Sequence, residues 1–268
     1  MTAAASRAEV LGYAVDRIGL ETTVERCRGL IAGAGSSHQV SLNAAKVVRA
    51  RSDERLAEIL REAELLNADG QSIVWAARLL GDPLPERVAG IDLMFRLLEV
   101  AERERLGVFF LGGRSEVLAK AVENVRSSYP GLRIGGFHDG YFGDSESADI
   151  CAAVNRADVA ILFIAMSSPR KEYWAREHRD LLAVPFVMGV GGAVDILAGT
   201  TVRAPVWMQR AGLEWVFRLV QEPRRLGPRY LVTNALFVGL VFQALVQRVL
   251  RRFRPRSSAP ADLRAKAP

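Results

Sequence analysis

The sequence predicts an α/β chain built on a mostly parallel sheet, followed by a helical C-terminal appendage. Three observations carry this. From residue 38 to about 200, short apolar runs alternate with helical patterns, the signature of repeated βαβ units. The most apolar run, Val159–Ala165, has the composition of a central strand covered on both faces. After Gly199 the chain turns to basic and apolar helical segments.

Taken in order, the strand-like runs are His38–Leu42, Leu65–Asn67, Val108–Leu111, Leu132–Ile134, Val159–Ala165 and Phe186–Val190. Between them lie helical stretches at Asp53–Glu64, Ser72–Leu80, Ile91–Arg105, Ser115–Ser128, Ala148–Ala157 and Pro169–Asp180. Residues 1–202 thus form a Rossmann-like core. Residues 203–254 are expected to form the appendage and 255–268 a disordered basic, Pro- and Ala-rich tail. Within the appendage, AGLEWVFRLVQEPRRLGPRY reads as a helix followed by a Pro-broken basic turn. Leu231 to Val246 follows without a charge, a run just short of the roughly 20 residues a bilayer span needs.

Arginines flank that run on both sides: Arg224, Arg225 and Arg229 before it, Arg248, Arg251, Arg252 and Arg254 after it. Thr233, Gly239, Gln243 and Gln247 fall near one face at helical spacing. A single span would place one arginine cluster outside, against the positive-inside tendency. The pattern favours a helix lying on an anionic membrane surface, ahead of a span or a core or oligomer helix.

The charge distribution agrees. Net charge is +6, yet from Arg203 onward 12 Arg and 1 Lys face 2 Glu and 1 Asp, a net of +10, leaving −4 on the first 202 residues. A mildly acidic body with a basic end points to anionic partners for that end. The acidic body and the absence of a base-stacking motif argue against nucleic acid. Two cysteines make neither a disulfide framework nor a zinc cluster, and no leader-like segment opens the chain, so an intracellular protein is expected. His38, His138 and His178 share no ligand spacing and no Asp-x-Asp occurs, so neither a metal nor a cofactor is expected.

Four motifs carry candidate chemistry. LLNADG ends a strand at Asp69, where α/β sheets present reactive groups; Asp69 is either a general base or the cap of the next helix. In ERVAGIDL, Arg87 is either a fork for a diphosphate or a partner of Asp92. Glycines cluster at three strand ends, FFLGG with Gly112 and Gly113, GYFG at Gly140–Gly143, and MGVGGAVD with Gly191, Gly192 and Asp195. Each is turn chemistry or a phosphate cradle of backbone N–H groups, and three in one α/β domain favour an anionic ligand. Neither the dinucleotide fingerprint nor the Walker A pattern is complete. In SSPRKEYW, Arg170 and Lys171 open a helix where the dipole disfavours cations, unless an anion sits between them.

Together these segments resemble the WecG/TagA/CpsF glycosyltransferases, glycosyltransferase family 26, from about Val40 to Tyr230. The most specific stretch is GVGGAVDILAGTTVRAPVWMQRAGLEWVFRLVQEPRR, and SLNAAKVV, NADG, RVAGIDL, FFLGG and DGYF follow in the family's order. The resemblance implies an inverting, metal-independent transfer from a UDP-sugar to a saccharide on a polyprenyl diphosphate, at the cytoplasmic face of the plasma membrane, for surface polysaccharide synthesis. It places the proposed base on Asp69, a hydroxyl on Ser41 (where Thr is usual), the motif Asn on Asn43, and arginines on Arg87, Arg218 and Arg225. Tyr141 is either a uracil-stacking ring or a packed turn residue.

One departure stands out. The family generally reads Pro-Lys-Gln-Glu where this chain has Pro169-Arg170-Lys171-Glu172, so Lys171 replaces a glutamine expected in the donor pocket. This leaves the donor open among an N-acetylmannosamine-type sugar, a uronic acid and a hexose. The C-terminal arginines are expected to close the site when the tail meets a membrane or a neighbouring subunit of a homo-oligomer. The rival reading is a non-catalytic membrane-associated scaffold.

Overall fold

A computed structural model describes residues 6–221 and 223–253; the side chains of 225, 226, 229 and 251–253 lie outside the described set, as does the expected disordered tail. The chain opens with an antiparallel hairpin, β1 (Arg7–Val10) and β2 (Tyr13–Asp16), then α1 (Leu20–Ile31). There follow β3 (Ser37–Leu42), α2 (Ala44–Arg49), α3 (Glu54–Glu62), β4 (Leu65–Ala68), α4 (Gln71–Leu79) and α5 (Gly90–Arg103). Next come β5 (Gly107–Gly112), α6 (Ser115–Ser128), β6 (Arg133–His138), α7 (Ser147–Arg156), β7 (Ile161–Ala165), α8 (Arg170–Glu177), β8 (Phe186–Gly189) and α9 (Ala193–Leu197). The chain ends in α10 (Val206–Arg210), α11 (Glu214–Gln221) and α12 (Pro223–Phe253).

Strands β3 to β8 form one sheet in the order β4-β3-β8-β7-β5-β6, with every pairing parallel. All six strands read from the apolar runs are present. Along β5 and β7 successive side chains enter opposite cores, which is why these runs lack polar alternation. Val108, Phe110, Ile161 and Phe163 pack with residues of α1, α5, α6 and α9, while Phe109, Leu111, Leu162 and Ile164 pack with α7 and α8. Helices α2, α3 and α4 close a third cluster over Val40, Leu42, Leu66 and Ala68, together with the hairpin.

The hairpin guards the β4 edge. Asp16 Oδ2 accepts from Leu66 N–H at 2.8 Å, and Arg7 donates to the carbonyls of Ala63 and Glu64, so edge groups that would template further pairing are occupied.

The strand order also sets where a ligand belongs. The connection from β5 runs outward to β6, whereas that from β7 runs back to β8, and β5 and β7 are neighbours. Their carboxyl ends are the topological switch point at which open α/β sheets bind ligands.

The basic segment before the apolar run is not a Pro-broken turn. Pro223 is the first residue of α12 and Pro228 lies inside it. Proline at the first position loses no helical hydrogen bond, so α12 starts at Pro223 and takes the basic residues into one 31-residue helix. Residues Tyr230–Leu250 of α12 are long and apolar enough to cross a membrane. Phe237 and Val241, near the middle of that stretch, are nevertheless buried in the cluster formed with α2, and Arg248 reaches Gly81. Leu231, Val232, Leu236, Val238, Phe242, Val249 and Leu250 are exposed.

Candidate active site

The candidate residues gather along the carboxyl edge of the sheet. Asp69 follows β4 directly, and its N–H extends the ladder to Leu42 O at 2.8 Å. Beside it, Val88 N–H donates to Ala68 O at 2.9 Å, and buried Asn67 Nδ2 donates to Val88 O at 2.7 Å. The loop carrying Arg87 is thereby pinned alongside Asp69. Gly90 then starts α5 with its N–H on the Asp69 carboxylate. A Cβ at Gly90 would stand 3.4 Å from Ser41 Oγ and 3.6 Å from Asp69 Oδ2, so the helix N-terminus lies at contact distance from both.

Burial raises the pKa of Asp69, opposed by the Gly90 N–H and by the charges of Lys46, Arg87 and Arg218. A carboxylate whose proton affinity is increased in this way, yet which is ringed by cations, has the environment of a general base. Asn43 caps α2, accepting from Lys46 N–H at 3.0 Å, and its Cβ would lie 3.5 Å from one on Gly70. Ser41 is buried at the end of β3, with Gln39 Nε2 3.4 Å from its Oγ.

Arg87 does not pair with Asp92. Its Nη1 is 3.0 Å from Glu214 Oε2, while Asp92 takes both terminal nitrogens of Arg203 at 2.5 and 2.9 Å. Glu214 opens α11 and is itself buried, with Arg218 at 3.4 Å and Arg203 at 3.5 Å. Burial raises its pKa, but the Arg87 hydrogen bond and the charges of Arg203, Arg218 and Arg87 outweigh that and hold it low. Gly212, with φ of +73°, admits this turn against α4, since a Cβ there would meet Gln71 Cγ at 2.5 Å. Arg218 therefore already stands at the site in the isolated chain. The side chain of Arg225 lies outside the described residues.

The glycine loops lie at the neighbouring strand ends. Gly112 has φ of +117°, and a Cβ on it would sit 2.6 Å from the Ala165 carbonyl carbon, so β5 and β7 close up only with glycine there. Gly113 faces Val194, Gly191 N–H reaches Ile164 O at 3.3 Å, and Gly192 precedes α9, which carries Asp195 in its first turn. Arg114, Ser115, Glu116, Asp139 and Tyr141 line an open recess of about 340 Å³. Tyr141 is exposed rather than packed, which removes the packed-turn alternative.

No anion is needed between Arg170 and Lys171, because the two side chains diverge. Arg170 donates to the carbonyls of Gly140 and Phe142 at 2.7 and 2.9 Å, bracing the loop that carries Tyr141. Lys171 turns inward, with its Nζ 2.7 Å from Glu172 Oε1.

Lys46, Glu172, Arg203 and Glu214 were not among the expected site residues. All four lay inside quoted motifs, Lys46 in SLNAAKVV, Glu172 in SSPRKEYW, and Arg203 and Glu214 in the Arg-Ala-Pro and Gly-Leu-Glu-Trp parts of the long C-terminal stretch, but none was assigned a role. No group of three or more His, Cys, Asp or Glu suited to a metal occurs among the described residues.

Comparison with known proteins adds an independent line. Residues 8–251 match the glycosyl transferase WecG/TagA/CpsF family. The chain is also similar to an N-acetylglucosaminyldiphosphoundecaprenol N-acetyl-beta-D-mannosaminyltransferase of Bacillus spizizenii, 34% identical over 176 residues that cover 66% of this chain and 68% of the relative.

Proposed function

The chain belongs to the WecG/TagA/CpsF family and is a glycosyltransferase, and from that premise we propose that it moves an N-acetylmannosamine-type sugar from a UDP donor to a polyprenyl-diphosphate-linked saccharide. The observation that carries the reading is Asp69 at the sheet's carboxyl edge, with the charges of Lys46, Arg87 and Arg218 acting on it. The Bacillus relative's name supplies the class of sugar and acceptor.

In this mechanism Asp69 takes the proton of the acceptor hydroxyl, whose oxygen attacks the anomeric carbon from the face opposite the nucleotide. The anomeric C–O bond breaks with inversion and its electron pair leaves on the diphosphate of UDP. That developing charge is met by Arg87 and Arg218 and by N–H groups of the Gly112–Gly113 and Gly191–Gly192 loops, so the chemistry proceeds without a metal. Tyr141 stacks on the uracil, and Asn43 and Ser41 line the acceptor side.

The exposed apolar row of α12 rests on the membrane that holds the lipid acceptor, with arginines on its headgroups. The buried seat of Phe237 and Val241 favours a helix lying along that surface over one crossing it, because a span would have to leave the body at mid-length. In this reading the surface is the inner face, where nucleotide sugars are supplied from the cytoplasm.

Thermal unfolding against a panel of UDP- and GDP-sugars, with and without EDTA, tests the donor. A ligand that binds the native state raises the melting temperature by mass action. The expected result is a rise with UDP-N-acetylmannosamine that EDTA leaves intact. A response confined to a GDP-sugar, or one abolished by EDTA, would refute this reading; no response to any nucleotide would favour the scaffold.

A further inference from the structure

Helix α11 leaves Trp215 and Val220 exposed, and the one residue it buries is a carboxylate, Glu214, 7% exposed. A helix that needs only a seat on the body is better served by an apolar side chain. Taking a carboxylate out of water costs free energy that its partners offset only in good geometry. The burial of Glu214 therefore has to be explained by what it holds.

It holds guanidiniums. Oε2 accepts from Arg87 Nη1 at 3.0 Å, while Oε1 lies 3.4 Å from Arg218 Nη2 and 3.5 Å from Arg203 Nε. Arg203 has a carboxylate of its own, since both of its terminal nitrogens donate to Asp92 in the first turn of α5. Arg218 is half-exposed and lies one turn further along the same helix, where solvent weakens the pair. Arg87 differs from both. Its side chain is largely buried, and Glu214 is its one ionic partner among the described residues.

The backbone at Arg87 is fixed separately, by the hydrogen bonds that join Val88 to Ala68 and Asn67 beside Asp69. A guanidinium is a rigid plane with five N–H donors, so anchoring one terminal nitrogen sets the direction of the rest. Arg87 is thus held by β4 at its root and by α11 at its tip, with donors to spare. Three guanidiniums against the carboxylates of Glu214 and Asp92 leave one positive charge to meet an anion.

We propose that Glu214 is a positioning residue of the transfer reaction: from the start of α11 its carboxylate grips one nitrogen of Arg87 and so aims the remaining donors at the departing diphosphate. This rests on the reading of Arg87 as a donor to that group. It gives the C-terminal appendage a part in the reaction through an anion as well as through its arginines.

The test is a pair of double-mutant cycles in kcat/KM on the full-length protein, with UDP-N-acetylmannosamine and lipid-linked N-acetylglucosamine as substrates. Glu214→Gln is measured alone, in Arg87→Ala and in Arg218→Ala. Glutamine keeps the shape and an accepting oxygen, and melting temperatures of the same preparations check that each variant is folded at the assay temperature. Arg87→Ala should lose about 10²- to 10³-fold. Glu214→Gln should lose about tenfold or more in the wild-type background. Its effect should shrink to about threefold or less when Arg87 is already absent, and persist at about tenfold when Arg218 is absent. A carboxylate that only anchors α11 would give another pattern, because its effect would run through the arginine that α11 carries and would collapse in Arg218→Ala. Any pattern other than collapse with Arg87→Ala and persistence with Arg218→Ala overturns the proposal. So does Glu214→Gln at or above wild-type kcat/KM, which would make Glu214 a competitor of the diphosphate for Arg87. Arg87→Ala at wild-type activity, or wild type without transfer, would instead overturn the underlying reading and the proposal with it.

Discussion

Replacing Asp69 with asparagine should separate stability from catalysis, and the sign of each effect follows from its surroundings. The carboxylate's pKa is raised in the fold, chiefly by burial, so the ionised form at neutral pH costs stability relative to a neutral group of the same shape. That cost is fully present above the folded pKa. It is relieved as pH falls from that value toward the unfolded one near 3.8. Asparagine is neutral at every pH and keeps an oxygen to accept the Gly90 N–H, so it removes the cost without orphaning the helix start. At pH 7 the melting temperature of Asp69→Asn should therefore equal or exceed that of wild type, and the excess should vanish in acid. Transfer, in contrast, loses its proton acceptor and should fall by about 10²- to 10⁴-fold. Calorimetry at pH 7 and pH 4, with initial transfer rates on the same preparations, measures both. A melting temperature lowered at pH 7 by more than about 3 °C, roughly 1 kcal/mol for a chain of this size, would refute the electrostatic reasoning. Activity within tenfold of wild type would refute the assignment of the base.

Three further outcomes follow from other parts of the molecule. Arg87→Ala, Glu214→Ala and the double variant form a cycle whose coupling energy in denaturant unfolding should be about 1–3 kcal/mol, since both side chains are largely buried and 3.0 Å apart; additive effects would mean that α11 is not anchored through this pair. Gly112→Ala places a Cβ 2.6 Å from the Ala165 carbonyl carbon at a φ of +117°, and should destabilise by about 2–4 kcal/mol, read from the denaturant midpoint; a neutral result would contradict the close β5–β7 approach. Leu236→Asp with Phe242→Asp alters side chains 52% and 66% exposed, so unfolding should shift by no more than about 0.5 kcal/mol while flotation with anionic vesicles falls at least about tenfold; unchanged flotation would remove α12 from the membrane.

The layered sheet was legible because its strands obey simple rules. Val159–Ala165 is apolar throughout and emerges as β7, buried on both faces. The N-terminal hairpin was not legible. Its strands are four residues each, and its turn places Leu11 and Gly12 at φ of +53° and +93°. A primed turn is announced by Asn-Gly or Asp-Gly, and leucine in its first central position hides it. The short helix α2 was hidden for a similar reason, since six residues span too few turns to show a period.

At the site, Asp69 and Arg87 lie in short motifs whose chemistry shows locally, whereas Ser41 and Asn43 came from the family resemblance. Which charges these residues meet across the fold does not show locally. Glu214 is 127 positions from Arg87, and Lys46 meets Glu172 across a similar distance in sequence. A lysine within an Ala-Ala-Lys-Val-Val helix looks like a solvated side chain until the fold buries it. The alternative pairing of Arg87 with Asp92 does not form, because proximity in sequence is a weak guide once α11 brings Glu214 to Arg87. Gly212 was the local trace of that return, as only glycine fits so close to Gln71.

The central claim is sugar transfer by a metal-free site, and direct product analysis tests it most sharply. The full-length protein is incubated with UDP-N-acetylmannosamine and a short-chain polyprenyl-diphosphate-linked N-acetylglucosamine in the presence of EDTA, and the products are identified by mass. The expected product is the lipid-linked sugar carrying one added N-acetylhexosamine, with stoichiometric release of UDP. Recovery of unchanged acceptor under these conditions, with transfer restored only by a divalent cation, would contradict it.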